Sequence, residues 1–150
     1  MKKFKFSLER MREYKNQILD REKGVLKALQ QKKNEIDLKL QEVEQFRQEK
    51  SQELLEKQMR GIAKQEMDIY NLYIENARLQ IKQLQAEQRI AETEVERQLQ
   101  VVITASQEVS GLDRLEEKQL AAYKHTVAKA EEQTIEELMI SGGFRRFDEK

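Results

Sequence analysis

The chain has 150 residues, of which 37% are charged and 6% aromatic, and its 28 basic and 28 acidic side chains cancel. A net charge of zero argues against nucleic-acid binding driven by overall charge. The absence of cysteine excludes disulfides and thiolate metal sites. Proline, which interrupts helices most strongly, is also absent, and the abundance of Glu, Gln, Lys, Leu and Arg is typical of long helices and coiled coils.

The first predicted element is a helix from about residue 7 to about residue 58. Ser7 is a suitable N-cap, and Glu9 lies in the first turn, where the helix dipole favours an acid. A spacing of three and four residues from Leu8 to Lys50 gives apolar side chains at eight of thirteen positions. The positions of this row are 8, 11, 15, 18, 22, 25, 29, 32, 36, 39, 43, 46 and 50.

A turn near Gly61 separates this helix from a second one, predicted from about residue 64 to about residue 140. The positions 70, 74, 77, 81, 84, 88, 91, 95, 98, 102, 105, 109 and 112 continue the coiled-coil spacing, and eleven of the thirteen are apolar. Gly111 is a candidate kink. The Gly142-Gly143 pair is expected to end the helix and to leave a flexible tail over 141–150. The predicted fold is therefore all-α, a single domain forming a long antiparallel two-helix coiled coil.

Charge distribution supports the antiparallel arrangement. Residues 1–33 hold eleven basic against four acidic side chains, a net charge of about +7, whereas residues 113–139 hold four against seven, about −3. A fold-back at Gly61 places these two segments side by side. Residues after about 115 then outrun the first helix, which leaves an apolar stripe without a partner, unless the first six residues and the tail cover part of it. The stripe consists of Leu120, Tyr123, Val127 and Leu138.

No group of side chains in the chain indicates catalysis. His125 is the only histidine, so a typical zinc site is excluded, and Glu131-Glu132 with Glu136-Glu137 are interpreted as a solvated helix face. No phosphate-binding loop or Ser/His/Asp set is present. We therefore expect a protein that is not an enzyme and that has no cofactor and no metal. No run of apolar residues is long enough to span a membrane.

Aromatic residues gather near the turn. Phe46 and Val43 of the first helix are expected close to Tyr70 and Tyr73 of the second. Aromatic side chains are enriched in binding hot spots, but they also seal the ends of hairpins, and the sequence leaves both interpretations open.

In three places the chain resembles the FliJ family, the coiled-coil component of the bacterial flagellar type III export apparatus. The first is Phe4-Lys5-Phe6-Ser7-Leu8-Glu9 followed by Met11. The second is Gly61-Ile62 leading into Gln65-Glu66-Met67, then Tyr70, Tyr73 and Ile81. The third is Ile135-Glu136-Glu137-Leu138. Together they span nearly the whole chain.

The resemblance implies a protein similar to the central stalk of rotary ATP synthases, monomeric when free and cytoplasmic, associated peripherally with the membrane at the flagellar base. Its end with both termini would insert into the hexameric export ATPase and stimulate it. Its other end would bind the cytoplasmic domain of the membrane export gate, and export chaperones would be further partners. The implied gate residues are Lys39, Val43, Phe46, Lys50, Tyr73, Ala77, Gln80 and Leu84, of which Lys39, Lys50 and Gln80 depart from the apolar or aromatic types expected. The implied ATPase residues are Phe4, Phe6, Leu8, Met11, Leu120, Tyr123, Val127 and Leu138.

Two other interpretations remain at this point. One is the equivalent stalk of a virulence type III secretion system. The other is a generic coiled-coil scaffold that dimerises along its whole length, with Gly61 inside a continuous helix.

Overall fold

A computed structural model describes residues 3–148, and the side chains of residues 3–142. Its two helices are α1 (Glu9–Arg60) and α2 (Lys64–Asp148), and no strand occurs in the described part of the chain. The two helices pack against each other, so the predicted helical hairpin is confirmed. The chain divides into two compact units, each of which contains a segment of both helices. The terminal unit runs up to Leu19 and resumes at Ala105, and the turn unit is Asp20–Thr104.

The connection between the helices depends on Gly61. Its φ of +94° lies in the left-handed region, where a side chain is strained, and Gly61 is the one described residue with a positive φ. A glycine in this conformation is the usual residue just after a helix end. The next helix starts within three residues, and the amide of Met67 donates to the carbonyl of Ala63.

The seam of α2 follows the predicted row. All thirteen positions from Tyr70 to Leu112 are buried or half-buried. The most deeply buried are Ala77 (3% exposed) and Ala91 (4% exposed). Small side chains at these positions allow the facing helix to approach closely.

The predicted seam of α1 is wrong at every second position, where the seam residue is the one that follows the predicted residue. Met11, Val25 and Phe46 are exposed, and the residues that follow each of them turn inward instead. The observed seam consists of 8, 12, 15, 19, 22, 26, 29, 33, 36, 40, 43, 47, 50 and 54, all buried or half-buried. Five of these are basic, and their long apolar stems pack while the charged groups reach the surface. The five are Arg12, Lys15, Lys33, Arg47 and Lys50. Counting apolar residues therefore could not identify the correct row.

The helix ends also differ from expectation. Helix α1 begins at Glu9, and the Ser7 hydroxyl is paired with the side chain of Gln119 at 3.3 Å. Helix α2 continues through Gly111 and past residue 140 to Asp148, because a helical glycine costs only ~1 kcal/mol and does not by itself stop a helix. The predicted tail over 141–150 falls in part outside the described residues, which end at 148, and the side chains from 143 onward are not described.

Candidate partner-binding surfaces

The turn unit presents two aromatic rings to solvent. Phe46 is 41% exposed and Tyr73 is 45% exposed. Their ring centroids lie 6.5 Å apart with an interplanar angle of 71°, an edge-to-face contact. The ammonium of Lys50 lies 5.5 Å from the centroid of the Phe46 ring. We call Phe46, Lys50 and Tyr73 the aromatic patch.

The exposure of the patch follows from its position beside the seam. Phe46 immediately precedes the seam residue Arg47, and Tyr73 immediately precedes the seam residue Ile74. Such positions flank the interface of a two-helix coiled coil, so their side chains touch each other across its rim and keep one face in water. Phe46 is therefore positioned by α1 and Tyr73 by α2, and the position of neither ring depends on a loop.

A chain of polar contacts leads from the turn to the aromatic patch. Lys57 Nζ lies 2.8 Å from Glu66 Oε1 and 4.9 Å from the centroid of the Tyr70 ring. The Tyr70 hydroxyl donates to Glu53 Oε2 at 3.2 Å, and Lys50 Nζ lies 3.3 Å from the same oxygen. The hydrogen bond with Glu66, and then that with Tyr70, raises the pKa of Lys57 above its ordinary value. These contacts fix the rim on which the patch lies.

The other residues predicted for the gate contact divide into accessible and inaccessible ones. Lys39 and Gln80 are exposed, and together with the edge of Leu84 they line one open groove. Val43 is half-buried. Ala77 and Leu84 are 3% and 6% exposed, so they belong to the seam and offer a partner almost no surface.

In the terminal unit the chain before α1 folds over α2. Phe6 is buried at 7% exposure, and the guanidinium of Arg12 lies 5.1 Å from its ring centroid. The Phe4 ring packs against Tyr123 with a centroid separation of 5.6 Å. Leu120, Tyr123 and Val127 of the predicted stripe are half-buried, which favours the alternative that the first residues cover part of it, whereas Leu138 remains exposed.

Opposite charges meet in the terminal unit, as the charge distribution predicts. Arg12 pairs with Glu116 of α2 and lies 3.4 Å from Asp113. Lys15 Nζ lies 2.9 Å from Glu108 Oε2. The pair of Lys15 with Glu108 remains open to water, where an ion pair contributes only ~0–1 kcal/mol, so it aligns the helices more than it stabilises them.

The remaining residues predicted for the ATPase contact are Leu8, half-buried, and Met11 and Leu138, which are 48% and 67% exposed. Leu138 belongs to a longer exposed surface, of which the predicted contact residues include only this one. Every residue from 128 to 142 is exposed, and we call this stretch the terminal segment. Ile135 and Met139 lie on the same helix face as Leu138 and are 55% and 72% exposed. Their spacing of three and four residues was the available signal.

A second set of exposed apolar residues was missed altogether. Ile69, Leu72, Leu79 and Ile90 of α2 are 49–62% exposed, and they recur at coiled-coil spacing on the face opposite the seam. In the sequence the row that forms the seam of α2 is more strongly apolar than this one, with eleven of thirteen apolar positions.

The described residues include no group of three potential metal ligands among His, Cys, Asp and Glu. His125 lies on the exposed surface of α2. Within the described residues, neither α1 nor α2 contains an apolar segment of the length that a membrane-spanning helix needs.

Comparison with known proteins gives one positive result. The family model described as "Flagellar FliJ protein" matches residues 4–146, nearly the whole chain. No curated protein and no solved structure matches.

Proposed function

Because the chain belongs to the FliJ family and is thereby a component of the flagellar type III export apparatus, we propose that it is a coiled-coil stalk. In this role it binds and stimulates the hexameric export ATPase through the terminal unit, and it contacts the cytoplasmic domain of the export gate through the turn unit. The family consists of structural export components and is not a family of known enzymes. The match to a flagellar family favours this assignment over the virulence stalk.

The observation that carries the ATPase contact is the exposure of the terminal segment. Fifteen consecutive residues of α2 are exposed, yet their Ile135, Leu138 and Met139 form a single apolar face. An isolated helix is marginally stable in water and gains most of its stability from packing. A partner that packs against this face supplies what the chain itself does not.

The charge of the terminal segment narrows the kind of partner. Its charged residues are Lys129 and four acids, Glu131, Glu132, Glu136 and Glu137, which gives a net charge of −3. We propose that the surface of the ring that receives it combines an apolar strip with basic side chains. Electrostatic complementarity of this kind chiefly raises the association rate and selects the partner.

The test is ATP hydrolysis by the export ATPase of the same organism, measured together with its hexamer content, with and without this protein. The intact chain is expected to stimulate both. A variant with Ile135, Leu138 and Met139 all replaced by Gln should lose the stimulation, because Gln preserves helix propensity but removes the apolar face. A truncation after Val127 should behave in the same way.

The matched control is Leu38→Gln. Leu38 is 61% exposed on α1 in the turn unit, so the substitution removes an equally exposed apolar side chain far along the chain from the terminal segment. Full stimulation by the triple Gln variant would disprove the ATPase contact, and equal loss in the Leu38→Gln control would show that the effect is not local.

The gate contact is proposed to centre on the aromatic patch, with Lys39 and Gln80 at its edge. Ala77 and Leu84 are buried, so we do not include them in the contact surface; they pack in the seam between the helices. Exposed aromatic rings held rigidly by helices bury a large area on binding at a low cost in side-chain entropy, which supports binding over simple sealing of the hairpin end.

For the gate contact we expect the double change Phe46→Ala with Tyr73→Ala to weaken binding of the gate's cytoplasmic domain at least about tenfold, because two aromatic anchors are removed. Tyr14→Ala is the control, since Tyr14 is an aromatic residue of the terminal unit with 60% exposure. Unchanged binding by the double variant, with helix content preserved in circular dichroism, would show that the patch is not the contact.

We also propose that the protein receives export chaperones and that it works at the cytoplasmic face of the membrane, held there by its contacts with the ATPase and the gate. Family membership supports both statements. Co-purification of labelled chaperone and loss of membrane association in a strain without the gate protein would test them separately.

A further inference from the structure

The outer face of α2 in the turn unit carries a second apolar row, which the proposed contacts with the ATPase and the gate do not use. The row runs over 22 residues at alternating spacings of three and four, and all of its members are exposed. We call it the outer stripe, and it consists of Ile69, Leu72, Asn76, Leu79, Gln83, Ala86 and Ile90. Its four large apolar side chains are 49%, 57%, 57% and 62% exposed. Single exposed apolar residues are common on protein surfaces, whereas a row of them on one helix face is typical of an interaction site.

The outer stripe has the pattern of a coiled-coil seam. Neither Asn76 nor Gln83 is charged, so no member carries a charge in a chain that is 37% charged. The seam of the hairpin lies on the opposite side of the helix, where Ile74 and Leu84 are buried. Helix α2 is therefore two-sided here, and its outer side has room for one further helix.

The composition of the outer stripe is symmetrical about Leu79. Asn76 and Gln83 lie three and four residues from it, and Ile69 and Ile90 lie ten and eleven residues from it. If an identical helix runs antiparallel with Leu79 near the two-fold axis, apolar residues lie at about the level of apolar residues and amides at about the level of amides. The surface is thus complementary to itself, as an isologous contact requires.

The row of charges along one edge of the stripe shows the same symmetry. Asp68, Glu75, Lys82 and Arg89 follow each other at intervals of seven residues and are all exposed. In the antiparallel arrangement the two acids of one copy lie along the two bases of the other. In a parallel arrangement this edge of one copy lies on the other side of the contact from the same edge of the second copy, so these acids and bases do not meet.

From this charge complementarity we propose that the outer stripe binds a second copy of this chain, antiparallel and with a two-fold axis near Leu79. The contact spans about six helical turns and includes two amide layers, so it is small by the standard of permanent dimers. It is therefore a weak dimer that forms at high local concentration. The monomer predicted from the sequence is then the state of dilute solution.

The experiment is sedimentation equilibrium of the full chain from low micromolar to near-millimolar concentration. We expect the mass to rise from 17.9 kDa toward twice that value. Leu79→Glu should raise the dissociation constant at least about tenfold, because a carboxylate would enter the centre of the apolar contact. Leu38→Glu on α1 is the control, since Leu38 is about as exposed as Leu79 and lies outside the stripe.

Charge reversal tests the orientation. Glu75→Lys and Lys82→Glu should each weaken the dimer, and the double variant should restore it, because the acid-to-base pairing is re-formed with the signs exchanged. A partner protein of different sequence would not produce this rescue. Since the chain has no cysteine, single-cysteine variants add an independent readout.

In these variants, Leu79→Cys should cross-link efficiently through a short bifunctional reagent, whereas Ile90→Cys should not, because the residue near it in the second copy is residue 69. Equal cross-linking of both variants would indicate parallel chains and overturn the proposed orientation. A mass that stays at 17.9 kDa at the highest concentration would overturn the dimer itself. Neither result bears on the contacts with the ATPase or the gate.

Discussion

The two units of the hairpin use the same kind of aromatic contact with opposite results. In the terminal unit Phe4 meets Tyr123 at 5.6 Å, and in the turn unit Phe46 meets Tyr73 at 6.5 Å. The rings of the first pair are half-buried, beside a Phe6 that is only 7% exposed, whereas those of the second are 41% and 45% exposed. The contact of Phe4 with Tyr123 covers apolar surface, whereas the contact of Phe46 with Tyr73 leaves apolar surface exposed to solvent.

The difference arises from the backbone that carries each ring. Phe4 and Phe6 precede α1 and belong to non-helical chain, so they can fold across α2 and cover it. Phe46 and Tyr73 are fixed at flanking positions of two packed helices, where the side chain cannot turn into the seam. An aromatic pair at the flanking positions of the two helices therefore stays exposed. A ring on α2 is covered here by residues of the non-helical chain before α1.

The largest expected effect concerns Phe6. Phe6→Ala should lower the free energy of unfolding by about 2–4 kcal/mol, because a buried ring is lost and the stacked Arg12 loses its apolar support. The matched change Phe46→Ala should cost less than about 1 kcal/mol, since much of that ring is already in water. Urea unfolding followed by circular dichroism measures both. If both substitutions lowered the free energy of unfolding equally, the buried Phe6 and the exposed Phe46 would not differ in their contribution to stability.

A smaller effect, with two opposite signs, is expected at the glycines. Gly61→Ala should destabilise the protein by about 1–2 kcal/mol, because an L side chain is strained at the positive φ of this residue. Gly24→Ala should stabilise it by about 0.5–1 kcal/mol, because Gly24 is helical and a Cβ there meets no atom within 4 Å.

Thermal unfolding of both glycine variants would sharpen the comparison between turn and helix. If Gly61→Ala were neutral, the turn would not depend on the left-handed conformation. If Gly24→Ala were destabilising, the helix interior would be more constrained than its open surroundings indicate.

The sequence was sufficient to predict the fold class, the turn at Gly61 and the seam of α2, because eleven of the thirteen seam positions of α2 are apolar. It was not sufficient for α1, whose seam includes Arg12, Lys33 and Arg47. A hydrophobicity pattern treats these residues as exposed, whereas their stems pack and their charged groups reach carboxylates or water. Glu44, which accepts two hydrogen bonds from Arg47, shows how such a group is satisfied at the rim.

The candidate surfaces were predictable to different degrees. The aromatic cluster near the turn was visible in the sequence, but the exposure of Phe46 was not, because it depends on the row of α1 that forms the seam. The cover provided by Phe4 and Phe6 was only one of two open alternatives, since the path of non-helical chain depends on tertiary contacts that no local pattern records.

The smallest effect concerns Lys57 at the turn, and its sign follows from the direction of the pKa shift. The hydrogen bond with Glu66, and then that with Tyr70, raises the pKa of Lys57 in the folded protein. A raised pKa means that the contribution to stability is complete below the pKa of the unfolded chain, about 10.4 for lysine, and is lost as the pH rises through the folded value. The melting temperature of Lys57→Gln should therefore lie slightly below that of the wild type at neutral pH, and the difference should shrink only in strongly alkaline solution.

The control is Lys64→Gln, because Lys64 is an exposed lysine at the start of α2. A difference that disappears already between neutral pH and about pH 9 would show that another group is titrating, since lysine stays protonated there. In that case the contacts from the turn to Phe46 would not be held by the Lys57 charge, and the rigidity of the aromatic patch would depend on helix packing alone.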